Sequence, residues 1–437
     1  MFKLLPYIPF LYVSFALYCI VSGGWKLVSP EKAARKRGKG KSEPTQKDVG
    51  KTRIAGAGYL VFGTLFMLTF RLDVGWLDKP ELLTWSANQN VQPEHTRIIS
   101  DFLDNNVIPG MVVVVVDEDG SYIFSYGYQG VDKQKRITQD TIFEIGSISK
   151  VFTGLLLAEA VDSGAVTLET PIRSCVPEQF DTGQEFYDRI TLGHLTTHTS
   201  GLPRLPKDLG FGINGYIAGL TGGNPYQKVT REKLFAYLSR TASPKQIGTE
   251  SNYSNYGVGL LGTCLSSQKG LSYEETLQRI VTGPLEMTNT SIHLTPEQEA
   301  LFTPGYRGYL RVGRFVLGMK NKPWLMGDGI AGAGGIRSSG ADMLKFLEAC
   351  IADELDFIPL AKRPIFQLDD ESDMGMGWLL DRGLLENQMA IWHNGETGGF
   401  NSYIGFLADK PRGVFVIANT TVNIQSLGEE ILSALGD

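Results

Sequence analysis

Ser147 and Lys150 stand three residues apart in the stretch Thr141–Lys150 (TIFEIGSISK), at the mouth of an apolar run that continues to Ala160. On a helix, residues three apart share a face, so a hydroxyl and an ammonium at this spacing can meet. The helix N-terminus adds unpaired N–H groups and partial positive charge beside the serine oxygen. Those conditions turn a poor nucleophile into a usable one. The same pattern also describes an N-cap serine followed by a surface lysine. Ser29/Lys32 and Ser266/Lys269 share the spacing in settings that suggest no catalysis. The pair needs partners elsewhere.

Two other stretches supply candidates. In Ser251–Gly262 (SNYSNYGVGLLG), Tyr253 and Asn255 lie just ahead of an apolar helix. A phenol beside a lysine is expected to ionise more easily, because positive charge favours phenolate. Tyr253 is therefore a predicted general base, then acid. Asn255 offers a donor and an acceptor to an amide, although Asn and Ser here also describe ordinary turn chemistry. In Ile391–Phe406 (IWHNGETGGFNSYIGF), a strand edge is predicted to enter a glycine turn. Gly395 leaves room for a substrate against the backbone. His393 is expected in the cleft as a donor or proton carrier, titrating between about pH 5.5 and 7.5.

The elements that must position these residues read as follows. A helix over Pro93–Asn105 precedes strands at Gly110–Val116 and Ser121–Tyr128, joined by an Asp-Gly turn. The Ser147 helix stops near Gly164. Helical candidates follow at Thr230–Thr241, Tyr256–Ser267, Ser272–Met287 and Gly340–Ile351. The C-terminal part returns to strands at Met389–His393, Ser402–Leu407 and Gly413–Ala418, then a helix over Ile424–Leu435. Strands at both ends with helices between imply an α/β (α+β) domain over residues 91–437. Its antiparallel sheet is flanked by helices and carries an inserted all-helical lobe, with the site at their junction.

Charge is uneven. Residues 1–85 carry 13 Lys/Arg against 6 Asp/Glu, and the rest of the chain holds 28 against 41. An acidic body argues against nucleic acid as a partner. Residues 4–25 and 54–70 lack charge, and the segment between them, 26–53, is rich in Lys and Arg. That pattern predicts two transmembrane helices in a hairpin, 1–72, with a basic cytoplasmic loop. A linker, 73–90, then leads to a catalytic domain on the periplasmic side of the inner membrane. A cleaved signal peptide is the alternative for the first run. Cys19 lies in that run, and Cys175, Cys264 and Cys350, odd in number, are expected as buried free thiols.

Together, Ser147-x-x-Lys150, Tyr253-x-Asn255 and His393-x-Gly395 resemble, in order and spacing, class C β-lactamases and related penicillin-recognising serine hydrolases. That group includes DD-peptidases and β-lactamase-fold esterases. His194–Pro203 (HLTTHTSGLP) and Gly332–Ser338 with Asp342 are similar to further stretches of the family. The resemblance covers roughly residues 90–437. It implies Ser147 as the acylated nucleophile, Lys150 assisting its deprotonation and Tyr253 shuttling protons. Asn255, Asn394, Gly395 and Glu396 would bind substrate, with the N–H groups of Ser147 and Glu396 as an oxyanion hole. No cofactor or metal is required. The third motif departs from the lactamase Lys-Thr-Gly, since His393-Asn394-Gly395 is followed by acidic Glu396. A largely neutral histidine and a carboxylate disfavour an anionic substrate unless an arginine offsets them. The expected substrate is therefore a small molecule or peptide cleaved at an amide or ester, foremost a D-amino-acid-containing peptide. A β-lactam is the first alternative, and an acylated, non-turning-over envelope sensor the second.

Other serine and metal chemistries fit less well. His194 and His198 stand four apart without the Glu of a zinc motif or a third ligand. No Gly-x-Ser-x-Gly elbow occurs. A Ser147–His393–Asp triad is compatible with the spacing but leaves Lys150 and Tyr253 without a task.

Overall fold

Five consecutive valines, Val112–Val116, run through the middle of a nine-stranded antiparallel sheet. The computed structural model describes residues 8–30, 32–33, 45–70, 72–78, 80–86, 93–131, 135–206, 209, 223–385 and 388–436. Its strands are β1 (Leu72–Trp76), β2 (Leu82–Ser86), β3 (Gly110–Asp117), β4 (Gly120–Gly127), β5 (Ile142–Glu144), β6 (Tyr306–Val312) and β7 (Phe315–Lys320). They continue with β8 (Arg337–Ser339), β9 (Phe366–Gln367), β10 (Ser372–Met374), β11 (Leu379–Leu385), β12 (Gln388–Glu396), β13 (Asn401–Leu407) and β14 (Gly413–Ala418). The main sheet has the order β2-β4-β3-β14-β13-β12-β11-β10-β9. The first and last strands of the expected domain, β3 and β14, pair antiparallel in register Val113↔Val416.

The valine run is apolar throughout because both sheet faces are covered. Side chains alternate across a strand. Val112, Val114 and Val116 join one core with Met343, Phe346 and Leu347 of the Gly340–Ala352 helix. Val113 and Val115 join another with Ile98, Ile99, Leu427 and Ile431 from the Pro93–Asn105 and Gln425–Gly436 helices. The Ser149–Asp162 helix is buried nearly all round, as a helix apolar on every face must be.

The helical lobe lies between β5 and β6 and includes the Arg231–Leu238 and Asn255–Gln268 helices. The predicted helix over Ser272–Met287 is instead a short α-helix, Tyr273–Leu277, running into π-helical Gln278–Thr282. The β6–β7 hairpin was not anticipated, and it pairs with β1 in a separate sheet. Residues 73–90, read as a linker, contribute β1 and the edge strand β2.

One expectation about the cysteines is corrected. Cys175 and Cys264 form a disulfide, with Cα atoms 5.1 Å apart, whereas Cys19 and Cys350 are free and buried. Odd parity rules out complete pairing only. Packing of the Ile172–Cys175 turn beside the Asn255–Gln268 helix brings together two thiols 89 residues apart. The predicted transmembrane helices find no support. Helices form at Ile8–Val28 and Gln46–Phe70 and pack with Gly23 against Gly56. Among the described residues, however, no helix is long and apolar enough to cross a membrane. The second helix begins in charged sequence, with Lys47, Asp48, Lys51 and Arg53, so its uncharged run, 54–70, stands at the short end of the length a span requires. Residues 4–7 of the first predicted span lie outside the described residues.

Candidate active site

The turn that carries Ser147 is built where β5 runs into the central helix. Gly146 adopts φ +56°, a left-handed conformation that favours glycine, and starts the 3-10 turn Gly146–Ile148 ahead of the Ser149–Asp162 helix. The Ile145 N–H donates to Ile336 O at 3.1 Å, and Ser402 Oγ donates to Ile145 O at 2.8 Å. Ser149 Oγ accepts from the Ile336 N–H at 3.1 Å. These bonds tie the turn to β13 and to the Gly332–Ser338 segment. Ser147 therefore sits on a fixed platform.

Lys150 Nζ donates to Ser147 Oγ at 3.0 Å and to Ala333 O at 2.5 Å. Lys150 is buried, and its pKa falls well below the ordinary lysine value, through burial first and then the charge of Arg204. Tyr253 donates its hydroxyl to Ser147 Oγ at 2.7 Å. Its pKa is pushed up to about 12, chiefly by burial, against the opposing Ser147 hydrogen bond and Arg204. The expected easily ionised phenol is thus corrected: desolvation outweighs nearby positive charge, and Tyr253 rests as a neutral donor.

The His194–Pro203 segment has a structural task, holding Tyr253. The Asn252 N–H donates to His198 O at 2.8 Å, the Ser254 N–H to His198 Nδ1 at 3.2 Å, and Ser254 Oγ to Pro203 O at 2.8 Å. The His198 ring lies 4.5 Å from that of Tyr253. His194 Nδ1 accepts from the Thr191 N–H in a capping box. Among the described residues no group of three His, Cys, Asp or Glu could hold a metal ion. Ser254 caps the next helix by accepting from the Gly257 N–H at 2.8 Å, which sets Asn255 at its first turn.

Strand β12 closes the site. Thr397 N–H bonds to Phe400 O, and hydrogen bonding to β13 alternates along the strand, so the Glu396 N–H points away from β13. It faces the Ser147 turn, since a Cβ on Gly146 would lie 2.8 Å from Glu396 N. A Cβ on Gly395 would run into Ile145 O and Ser402 Oγ and lie 3.1 Å from Ser147 N. Gly395 is therefore required for this approach, which sets the Ser147 and Glu396 N–H groups close together.

Ser147, Tyr253, Asn255, Asn394, Gly395 and Glu396 line one cavity of about 570 Å³. Asn394 Nδ2 donates to Gln425 Oε1 at 2.7 Å. His393 does not line the cavity. It is 3% exposed, and its Nδ1 lies 2.5 Å from Asn394 O, so the proton is on Nδ1. Its pKa is pushed down to about 4 by burial and then by Lys150, with the Asn394 bond opposing. The expected titration near pH 5.5–7.5 is displaced downward accordingly. The triad alternative also fails, because His393 Nδ1 meets a carbonyl rather than a carboxylate.

Several cavity residues were missed. Trp324 forms a wall, its backbone N–H donating to the buried Glu144 Oε1 at 2.5 Å, with Tyr226 beside it at 4.8 Å between ring centroids. Arg204 reaches into the same space, with its guanidinium 5.1 Å from the Tyr253 ring. A signal for Arg204 was present, since it directly follows His194–Pro203. Trp324 and Tyr226 carry none, because their place depends on loops far from the motifs.

The β-lactamase family profile matches residues 95–434. The chain belongs to the β-lactamase family. It is a serine hydrolase with an α+β fold, and the family match spans the lobe and every strand of the main sheet but β2. Among curated relatives, it is 28% identical over 375 residues to a β-lactamase of Escherichia coli (strain K12), covering 77% of this chain and 90% of the relative. It is 26% identical over 378 residues to a β-lactamase of Yersinia enterocolitica, covering 77% and 89%. It is also 25% identical over 359 residues to the D-alanyl-D-alanine-carboxypeptidase/endopeptidase AmpH of Escherichia coli (strain K12), covering 76% and 86%.

Proposed function

We propose that this β-lactamase-family enzyme hydrolyses an amide or ester through an acyl-enzyme on Ser147, with a D-amino-acid-containing peptide as the foremost substrate. The observation that carries the mechanism is the convergence of Lys150 Nζ and the Tyr253 hydroxyl on Ser147 Oγ, at 3.0 and 2.7 Å. Burial favours the neutral amine of Lys150, which can take the Ser147 proton as Oγ bonds to the carbonyl carbon. The Ser147 and Glu396 N–H groups receive the developing oxyanion. As the C–N or C–O bond breaks, Tyr253 gives its proton to the leaving group and recovers one from the Lys150 ammonium. Water then attacks the acyl-enzyme, and its proton returns through the same pair to Ser147. His393, neutral above about pH 4, supports the strand rather than moving the proton.

The peptide reading is supported by the absence of lysine at the third motif, by Glu396 in the cavity, and by similarity to AmpH. Hydrolysis of a β-lactam is the second reading. It is favoured by Arg204, a cation in the cleft that a lone substrate carboxylate could use. Steady-state turnover of a D-alanyl-D-alanine peptide, a neutral ester and a chromogenic cephalosporin decides between them. Faster turnover of the cephalosporin by the purified protein would reject the peptide reading.

We also infer that the N-terminal helix pair associates with the inner membrane and that the catalytic domain faces the periplasm. Support comes from the Cys175–Cys264 disulfide, which suits an oxidising compartment, and from the basic residues of 26–53. Val21, Ile54, Val61 and Leu65 on the pair are exposed apolar side chains. Protease added to spheroplasts should digest the domain. Protection until lysis would reverse the orientation.

A further inference from the structure

We propose that the cleft selects a zwitterionic acyl compound, with Arg204 holding a carboxylate on the leaving half and Glu396 holding an ammonium on the acyl half. The inference rests on the acyl-enzyme reading above and adds the charge pattern of its substrate. Both side chains line the cavity that contains Ser147. The Arg204 guanidinium presents five N–H donors, yet among the described residues it makes no hydrogen bond or ion pair, lying instead over the Tyr253 ring at 5.1 Å. The Glu396 carboxylate likewise has no hydrogen-bond or ion-pair partner among the described residues. Burial raises the Glu396 pKa and the charge of Arg204 opposes that rise, with no salt bridge closed between them.

Two charges of opposite sign in one cleft, unpartnered among the described residues, act as a fixed dipole. A lone anion gains from Arg204 and loses to Glu396, and a lone cation does the reverse. A substrate with both charges correctly placed satisfies both groups. The direction follows from the catalytic geometry. Arg204 lies against Tyr253, the donor to the leaving group, so the carboxylate belongs to the leaving amino acid. Glu396 follows Gly395 and carries the oxyanion N–H, which leaves the acyl half for the ammonium.

The test uses the purified full chain and Lys-D-Ala-D-Ala in four forms, with amines free or acetylated and the C-terminal carboxylate free or amidated. The form with both charges should have the highest kcat/KM, and each cap should lower it about tenfold, the worth of one charge-assisted contact. In Arg204→Gln the carboxylate-to-amide ratio should collapse while the amine ratio persists, and Glu396→Gln should show the opposite. Ratios within one variant cancel any general loss of rate. Arg204→Lys and Glu396→Asp should retain the preferences, and they serve as folded controls. Equal rates for the four forms, or ratios unchanged in the Gln variants, overturn the proposal. Fluorophosphonate labelling of Ser147 separates the two layers. A labelled protein that turns over a neutral ester but ignores charge overturns the zwitterion alone. An unlabelled one overturns the acyl-enzyme reading and this inference with it.

Discussion

Tyr253 and Lys150 meet at one oxygen, Ser147 Oγ, although Tyr253 lies 106 residues from the serine and Lys150 only three. Burial acts oppositely on the two, stabilising phenol in one and neutral amine in the other, which suits them to the proposed roles of acid and base. Tyr253→Phe removes the proton donor and should lower kcat by about 10²–10⁴. Ser147→Ala should take no fluorophosphonate, as read by intact mass. A labelled Ser147→Ala protein would sink the nucleophile assignment.

His393 should mark the acid side of stability. Its folded pKa of about 4 lies below its ordinary 6.5, so folding favours the neutral ring. Between those values the unfolded chain binds more protons, and stability rises with pH. The contribution is fully present above about pH 6.5 and is lost as pH falls toward 4, on the order of 3 kcal/mol. Urea unfolding of wild type and His393→Gln across pH 4–7.5 measures it. Parallel curves would show that His393 contributes nothing to the slope. Activity should meanwhile fall on acidification through the depressed pKa of Lys150, and the Lys150→Met variant should lose turnover at every pH.

Gly395→Ala tests the close approach of strand and nucleophile turn. The new methyl meets the backbone oxygen of Ile145 and the hydroxyl of Ser402, which hold the turn in place. Forced overpacking of this kind costs about 1–3 kcal/mol. The larger effect should fall on kcat, by about 10² or more, since an oxyanion donor is moved. A variant with lowered melting temperature and unchanged kcat would remove the strand N–H from the mechanism.

The Cys175–Cys264 bridge closes a long loop within the helical lobe, joining residues 89 apart. Reduction, or replacement of both by serine, should destabilise the protein by about 2–4 kcal/mol. Denaturant unfolding with and without reductant reads the difference. Cys350 should stay unreactive to thiol reagents in the native protein, because it is buried and its pKa is raised. Two reactive thiols in the non-reduced native state would argue against the bridge.

Contiguous patterns carried much of the fold. The valine run, the apolar helix after Ser147 and the capped helix after Ser254 each owe their form to neighbours in sequence, so they are readable locally. The short strands β5, β8 and β9, the β6–β7 hairpin and the π-helical turn were not readable, because tertiary pairing rather than local preference holds them.

For the site, sequence by itself determined the residue types and their order: a serine with lysine one turn on, a tyrosine with asparagine, and a glycine in a strand. Only the tertiary structure decided their states. Lys150, Tyr253 and His393 owe their shifted proton affinities to burial by elements distant in sequence. Arg204 owes its place in the cleft to the same packing, as does the pairing of Cys175 with Cys264. Desolvation and through-space charge depend on what surrounds a group in three dimensions, and no local pattern encodes that.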